Sequence, residues 1–188
     1  MDLPMVLSLA QPKPAATPEP RVFEAIYAQH FRGIWRTLRR LGVTDAQLDD
    51  AAQDVFVVVH RKLTEFDGRS LRGWLYAIAL RVASDYRRER ARRVAIPLGE
   101  ALSDSALGPS RILELNESVQ LLHALLDQLD DPKRMVFVLG ELEQLSAPEI
   151  AEALGENLNT VYARLRAARL QFDAALTRHR LRTERPAR

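Results

Sequence analysis

The stretch SAPEIAEALGENLNTVYARLRAARL, residues 146–170, leaves a chain little freedom in how it folds. Ser146 and Glu149 stand at the S-x-x-E spacing of a capping box, in which the serine takes one unpaired amide of a helix start and the glutamate reaches back to another. Pro148 fits in the first turn, where the donor it lacks would have had no partner. Ile150, Ala151 and Leu154 then recur at helical spacing and face inward, and Gly155 is free to take the left-handed conformation that ends a helix. Asn159 is placed to cap a second helix with Val161, Leu165, Ala168 and Phe172 as its buried stripe. Two short helices, a tight glycine turn and the small Ala151 at their approach describe a helix-turn-helix. The second helix then exposes Asn159, Tyr162, Ala163 and Arg166, with Arg164 and Arg169 on its flanks. Such a helix suits a major groove, with arginines and backbone amides on phosphates. The plainer alternative, a helical hairpin with a basic face, accounts for fewer of these features together.

The same period runs through the rest of the chain. Residues 1–20 carry five prolines and read as a disordered leader; Asp2, Pro4 and Ser8 argue against a signal peptide. A first helix begins near Arg21, with Val22, Phe23, Ile26, Tyr27 and Ile34 as its apolar series, and Gly42 closes it. Thr44 and Gln47 in TDAQ read as a capping box for a second helix. Its VFVVV, Val55 to Val59, has strand propensity, but Leu48, Ala52, Val55, Val59 and Leu63 step by three or four and predict helix. Asp49, Asp50 and Asp54 gather near its start, where carboxylates favour the macrodipole. After a turn at Asp67-Gly68, a third helix runs from about Leu71 through Arg93, with Trp74, Leu75, Ile78, Ala79, Val82 and Tyr86 on one side. Proline, glycine and serine interrupt the pattern from Val94, and it resumes with Leu115, Val119, Leu122, Leu126 and Leu129. The reading is an all-α chain of two small helical domains joined by a flexible linker, the second containing the helix-turn-helix. The boundaries are a leader at 1–20, a first domain at 21–93, a linker at 94–114, a second domain at 115–178 and a basic tail at 179–188.

Charge is segregated along this plan. Residues 21–93 hold fifteen basic and nine acidic side chains, residues 99–156 three and twelve, and residues 157–188 eight and two. Two basic regions around an acidic one point to two polyanion contacts, while solvated helix faces remain the plainer reading of each. ASDYRRERARR, residues 83–93, illustrates both: cations favour a helix C-terminus, and the same arginines can hold phosphates. The chain has no cysteine, which excludes disulfides and thiolate metal sites and fits a cytoplasmic setting. No apolar run reaches the roughly 18–20 residues of a membrane span, so no direct membrane insertion is expected. His30, His60, His123 and His179 are scattered without metal-ligand spacing, and no glycine loop for phosphate is present. An enzyme, a metal site and a cofactor are therefore not expected.

At these residues the chain resembles the extracytoplasmic-function group of bacterial RNA polymerase sigma factors, from about Arg21 to Leu176. DDAAQDVFVVVHRKLTEFDGRSLRGWLYAIALRVASDYRRERARR is similar to the group's sigma-two domain, and LLHALLDQLDDPKRMVFVLGELEQLSAPEIAEALGENLNTVYARLRAARLQF to its sigma-four domain. The resemblance implies that Asp49, Asp50, Gln53, Asp54 and Phe56 face core RNA polymerase. It implies that Phe66, Arg69 and Ser70 lie where an unpaired −10 base is captured; Trp74, with Ile78 and Val82 following on the same face, reads as core rather than as a base-stacking platform. Arg81, Asp85, Arg87, Arg88, Arg90 and Arg92 would serve the same −10 element, and Asn159, Thr160, Tyr162, Ala163, Arg164, Arg166 and Arg169 the −35 element. Leu80-Arg81, Pro148 and Tyr162-Ala163 depart from the group's usual residues, so no promoter sequence is assigned. A linker of some 20 residues extends on the order of 60–70 Å, enough to join modules more than one duplex turn apart.

The implied function is promoter recognition and DNA opening in transcription initiation, with core polymerase, promoter DNA and a cognate anti-sigma factor as partners. The alternative is a free-standing helix-turn-helix regulator with a helical dimerisation domain, which would bind a two-fold operator by itself.

Overall fold

The computed structural model describes residues 20–95 and 117–183, so the leader, almost all of the linker and the last residues of the tail lie outside the described residues. Helices α1 (Pro20–Arg40), α2 (Leu48–Lys62) and α3 (Leu71–Ala95) form the first half. The second half holds α4 (Glu117–Leu126), α5 (Asp131–Phe137), α6 (Ala147–Leu154) and α7 (Leu158–Thr183). Short 3-10 turns at Asp45–Gln47 and Leu63–Glu65 flank α2, and no strand occurs among the described residues.

The helices form where apolar spacing gives them something to bury. Leu38, Leu41, Leu48, Ala52, Val55 and Val59 are fully buried between α1, α2 and α3. Each buried leucine contributes about 1.5–3 kcal/mol over an exposed one, enough to override the strand propensity of the valine run. Gly42 ends α1 at φ +91°, with Gly42 N–H on the Arg39 carbonyl (3.0 Å) and Val43 N–H on that of Leu38 (3.1 Å). This pairing satisfies the last carbonyls of the helix.

The capping box expected at Thr44–Gln47 takes another form. Thr44 makes no side-chain cap; its hydroxyl donates to the Gln47 side-chain oxygen at 2.8 Å, and a 3-10 turn leads into α2. In the second half, Asp130 caps α5 by accepting the Lys133 amide at 3.0 Å. The helix then widens into a π turn, Val138–Leu142, which the apolar spacing does not signal. The chain leaves that turn through Gln144 at φ +57°, a left-handed conformation that costs a residue with a side chain about 1–2 kcal/mol.

The halves do not lie apart. One apolar core runs from Leu38 and Leu75 through to Val138, Ile150 and Val161, and α6 packs against α3. Arg134 of α5 reaches Gly42 so closely that a side chain there would meet its Nη1 at 2.5 Å. Positive φ and this approach both require glycine at 42.

Candidate nucleic-acid interface

The helix-turn-helix is built as its sequence dictates. The Ser146 side chain accepts the Glu149 amide, the Glu149 carboxylate accepts the Ser146 amide at 2.9 Å, and Gly155 ends α6 at φ +65°. Ile150, Val161, Leu165 and Ala168 close the interface between α6 and α7, with Phe172 stacked on Phe137 at 4.6 Å. Asn159 is not the cap: Asn157 Oδ1 accepts the Asn159 amide at 2.8 Å, and α7 starts one residue before Asn159. The cap lies earlier because a local asparagine turn satisfies the first amides before the helix proper.

This arrangement leaves Asn159, Tyr162, Ala163 and Arg166 exposed on one face of α7, with Thr160 half-buried. Arg164 is held by Glu156 at 2.8 Å and Arg169 by Glu141 at 2.6 Å. Both pairs orient an arginine from within the second half.

The loop before α3 is ordered by short-range bonds. Asp67 accepts the Arg69 amide at 3.1 Å and its guanidinium at 2.7 Å, and these bonds hold the Asp67 carboxyl below its ordinary range. Ser70 caps α3 by accepting the Gly73 amide at 3.1 Å. Phe66 and Trp74 face each other at 5.1 Å, so Trp74 is only half-buried and borders a cavity instead of sitting wholly in the core. That cavity, about 260 Å³, is walled by Phe66, Arg69, Ser70, Trp74 and Arg81 on one side. Glu149, Glu152 and Ala153 of α6 wall the other.

Along the rest of α3, Arg81, Arg88, Arg90 and Arg92 are exposed, with Arg88 paired to Asp85 and Arg92 to Glu89. Arg87 differs: half-buried, it donates to the Leu41 carbonyl at 2.5 Å and lies 3.5 Å from Asp131.

On α2, Asp49, Asp50, Gln53 and Asp54 form an exposed face. Trp35 Nε1 donates to Asp49 at 2.9 Å and the Tyr86 hydroxyl to Asp54 at 2.8 Å. Burial, and then the Asp54 carboxylate, pushes the Tyr86 hydroxyl up to about 12. Phe56 is 3% exposed beneath Tyr27 and Phe31, so it supports this face from below.

Sequence reasoning missed Glu143. It is 8% exposed, and its carboxylate accepts from the Thr37 hydroxyl (2.7 Å), Arg40 (2.7 Å) and the Tyr76 hydroxyl (2.6 Å) of the first half. Burial, and then this carboxylate, pushes Tyr76 up to about 12. Its partners lie 67 to 106 residues away, so no local pattern could have disclosed it. Among the described residues no group of three or more metal-ligating side chains occurs, and no helix is long and apolar enough to cross a membrane.

Known proteins align with both halves. Residues 26–93 match the family Sigma-70 region 2, and residues 119–172 match Sigma-70, region 4. RNA polymerase sigma factor NccH of Alcaligenes xylosoxydans xylosoxydans is 30% identical over 168 residues, covering 86% of this chain and 90% of that protein. The ECF RNA polymerase sigma-E factor of Escherichia coli K12 is 30% identical over 142 residues, covering 70% of this chain and 74% of that protein. The structure of CnrH in complex with the cytosolic domain of CnrY matches with a TM-score of 0.65 at 29% identity, over 87% of this chain and 92% of that one. The chain belongs to the extracytoplasmic-function group of RNA polymerase sigma factors, which direct promoter recognition in transcription initiation.

Proposed function

We propose that this sigma factor docks on core RNA polymerase through the acidic face of α2, holds the −10 element on the loop before α3 and along α3, and reads the −35 element with α7. The two working units are residues 21–93 and 115–178. The observation that carries the −10 assignment is the cavity bordered by Phe66 and Trp74, with Arg69 and Ser70 at its rim. Capturing an unpaired base needs an aromatic face for stacking and polar groups for its edge, and the cavity offers both. Unstacking costs a few kcal/mol per step, which phosphate contacts along Arg81, Arg88, Arg90 and Arg92 help to offset.

Asp50 and Asp54 present carboxylates suited to a basic helical partner, and Asp49 and Gln53 extend that face. Phe56 keeps it in place from the core. Asn159, Tyr162 and Ala163 are the base-facing positions of α7, with Thr160, Arg164, Arg166 and Arg169 on phosphates or flanking bases. The chain supplies no catalytic group; bond formation belongs to the polymerase, in the cytoplasm. A cognate anti-sigma factor is the regulator, and CnrH was solved in complex with the cytosolic domain of CnrY.

Run-off transcription with core polymerase on genomic fragments tests the reading. The chain joins core polymerase and selects start sites, and Asp50→Ala with Asp54→Ala lowers polymerase affinity about tenfold or more, each lost charge pair being worth about 1 kcal/mol or more. No association with core polymerase would overturn it.

A further inference from the structure

From Ala25 to Val43 the chain carries Arg32, Arg36, Arg39 and Arg40 and no acidic residue. Arg39 is paired with Asp45 at 2.8 Å and Arg40 with Glu143 at 2.7 Å. Arg32 and Arg36 have neither a hydrogen bond nor an ion pair among the described residues. They stand four residues apart on α1, a spacing at which like charges repel. Beside Arg32 the helix places Gly33. Glycine weakens a helix interior relative to alanine. The backbone does not call for it here, since its φ is not left-handed and a side-chain carbon would meet no atom within 4 Å.

The missing side chain borders a small cavity of about 130 Å³, walled by His30, Arg32, Gly33 and Arg36 of α1 and by Arg72 and Tyr76 of α3. No carboxylate is among its lining residues. Arg72 is fixed there by donating to the backbone carbonyl of Glu143 and by lying over the Tyr76 ring, 5.8 Å from its centre. Burial, and then Arg72, holds the His30 imidazole below its ordinary value of 6.5, so at neutral pH the ring is uncharged and keeps one N–H to donate. Three guanidiniums around so small a space lack only an anion. Guanidinium forks match the paired oxygens of a phosphate, whereas pockets for drug-sized ligands begin at about 300 Å³.

We infer that α1 and α3 form a binding site for one phosphate group, either the free ion or the terminal phosphate of a small phosphorylated molecule. Arg32, Arg36 and Arg72 hold its oxygens, His30 adds a donor, and Gly33 leaves the room. The site is separate from the surface assigned to the −10 element. At about 100° per residue, Arg72 and Tyr76 point to the side of α3 opposite Trp74 and Arg81, which border the other cavity. A bound phosphate offsets the repulsion between Arg32 and Arg36 and joins the middle of α1 to the first turn of α3, so it stabilises the folded chain by mass action.

The full chain is titrated with inorganic phosphate at constant ionic strength, followed by calorimetry and by phosphorus NMR line broadening, and one site is expected. Gly33→Glu places a carboxylate in the open space of the cavity, and the double variant Arg32→Gln with Arg36→Gln removes two exposed donors. Each lowers phosphate affinity about tenfold or more while circular dichroism shows the helices retained. Phosphate stabilises folded proteins in general through exclusion from their surface, so thermal unfolding is read as a difference. The gain in Tm from phosphate over chloride is larger in the wild-type chain than in either variant. Adenosine monophosphate separates the two sources: competition with phosphate assigns the site to an organic phosphate, no competition assigns it to the free ion, and both support the site. Phosphate binding that is absent, or equal in the wild-type chain and both variants, overturns it. Displacement of bound phosphate by adenosine, or by single-stranded DNA without a terminal phosphate, overturns the small phosphate ligand, the DNA result by giving the site to the nucleic-acid backbone.

Discussion

Helices α3 and α7 are 25 and 26 residues long, and both carry arginines along their exposed sides, yet they use them differently. On α7, Arg164 and Arg169 are steered by Glu156 and Glu141, acids of the same domain. On α3, Arg72 and Arg87 reach across to Glu143 and Asp131 in the other domain. The arginine-bearing face of α7 is therefore complete within its own half, while that of α3 is shared with the half lying against it. Under the proposed function, the −35 face is therefore built within one half, and the −10 face is built where the two halves meet.

The largest expected effect comes from breaking α6, the element that serves both helices. Ile150 is fully buried against α7, and Ile150→Ala costs about 2–5 kcal/mol in chemical denaturation. Because α6 also carries Glu149 and Glu152 to the loop before α3, the same variant loosens that contact, read as faster amide exchange in the Phe66–Ser70 loop. A large loss of stability with exchange in that loop unchanged would show that the order of the loop does not depend on α6. A smaller effect sharpens the contrast. Arg166 is exposed on α7, so Arg166→Ala weakens promoter binding by the polymerase-bound chain by about 1–3 kcal/mol and leaves amide exchange in the Phe66–Ser70 loop unchanged.

The same contrast explains what could be read from the sequence. The capping box at Ser146 and Glu149, the glycine at 155 and the stripe from Val161 to Ala168 are local, and each lies within a few residues of what it bonds. Their geometry follows from spacing alone, apart from the cap, which moves to Asn157 because the competing asparagine turn is equally local. The valine run of α2 was legible only through its wider apolar period, since burial decides against its intrinsic propensity. Glu143 had no such signature. It sits beside Leu142 like any surface glutamate following an apolar residue, and only the packing of α6 on α3 brings Thr37, Arg40 and Tyr76 to it. Trp74 was legible in part: its helical spacing places it against the core, where it packs, but Phe66 turns back from the preceding loop and its outer side borders a cavity.

The smallest expected effect tests whether one carboxylate serves both local and shared structure. Glu149 closes the capping box of α6 and also accepts from Ser70 across the domains. The Ser146 hydroxyl, then the Ser146 amide and then the Ser70 hydroxyl hold its carboxyl below the ordinary value of 4.5. A carboxyl with a lowered folded-state pKa stabilises the fold fully above its unfolded value, and this contribution is lost as pH falls through the folded one. The loss therefore begins near pH 4.5 and deepens on further acidification. Asp130, held low by Lys133, and Asp67, held low by Arg69, add to the same acid limb. Glu149→Gln keeps a capping acceptor but removes the titration, so thermal unfolding followed from pH 6 to 3 flattens without becoming level, because Asp130 and Asp67 still titrate. In Ser70→Ala the capping box of Glu149 survives, while the bond from Ser70 to Glu149 and the Ser70 cap of α3 are both lost, so stability falls at every pH and part of the acid dependence remains. An acid limb identical to wild type in both variants would mean that Glu149 contributes nothing through its charge, and that the contact between α6 and the −10 loop rests on packing alone.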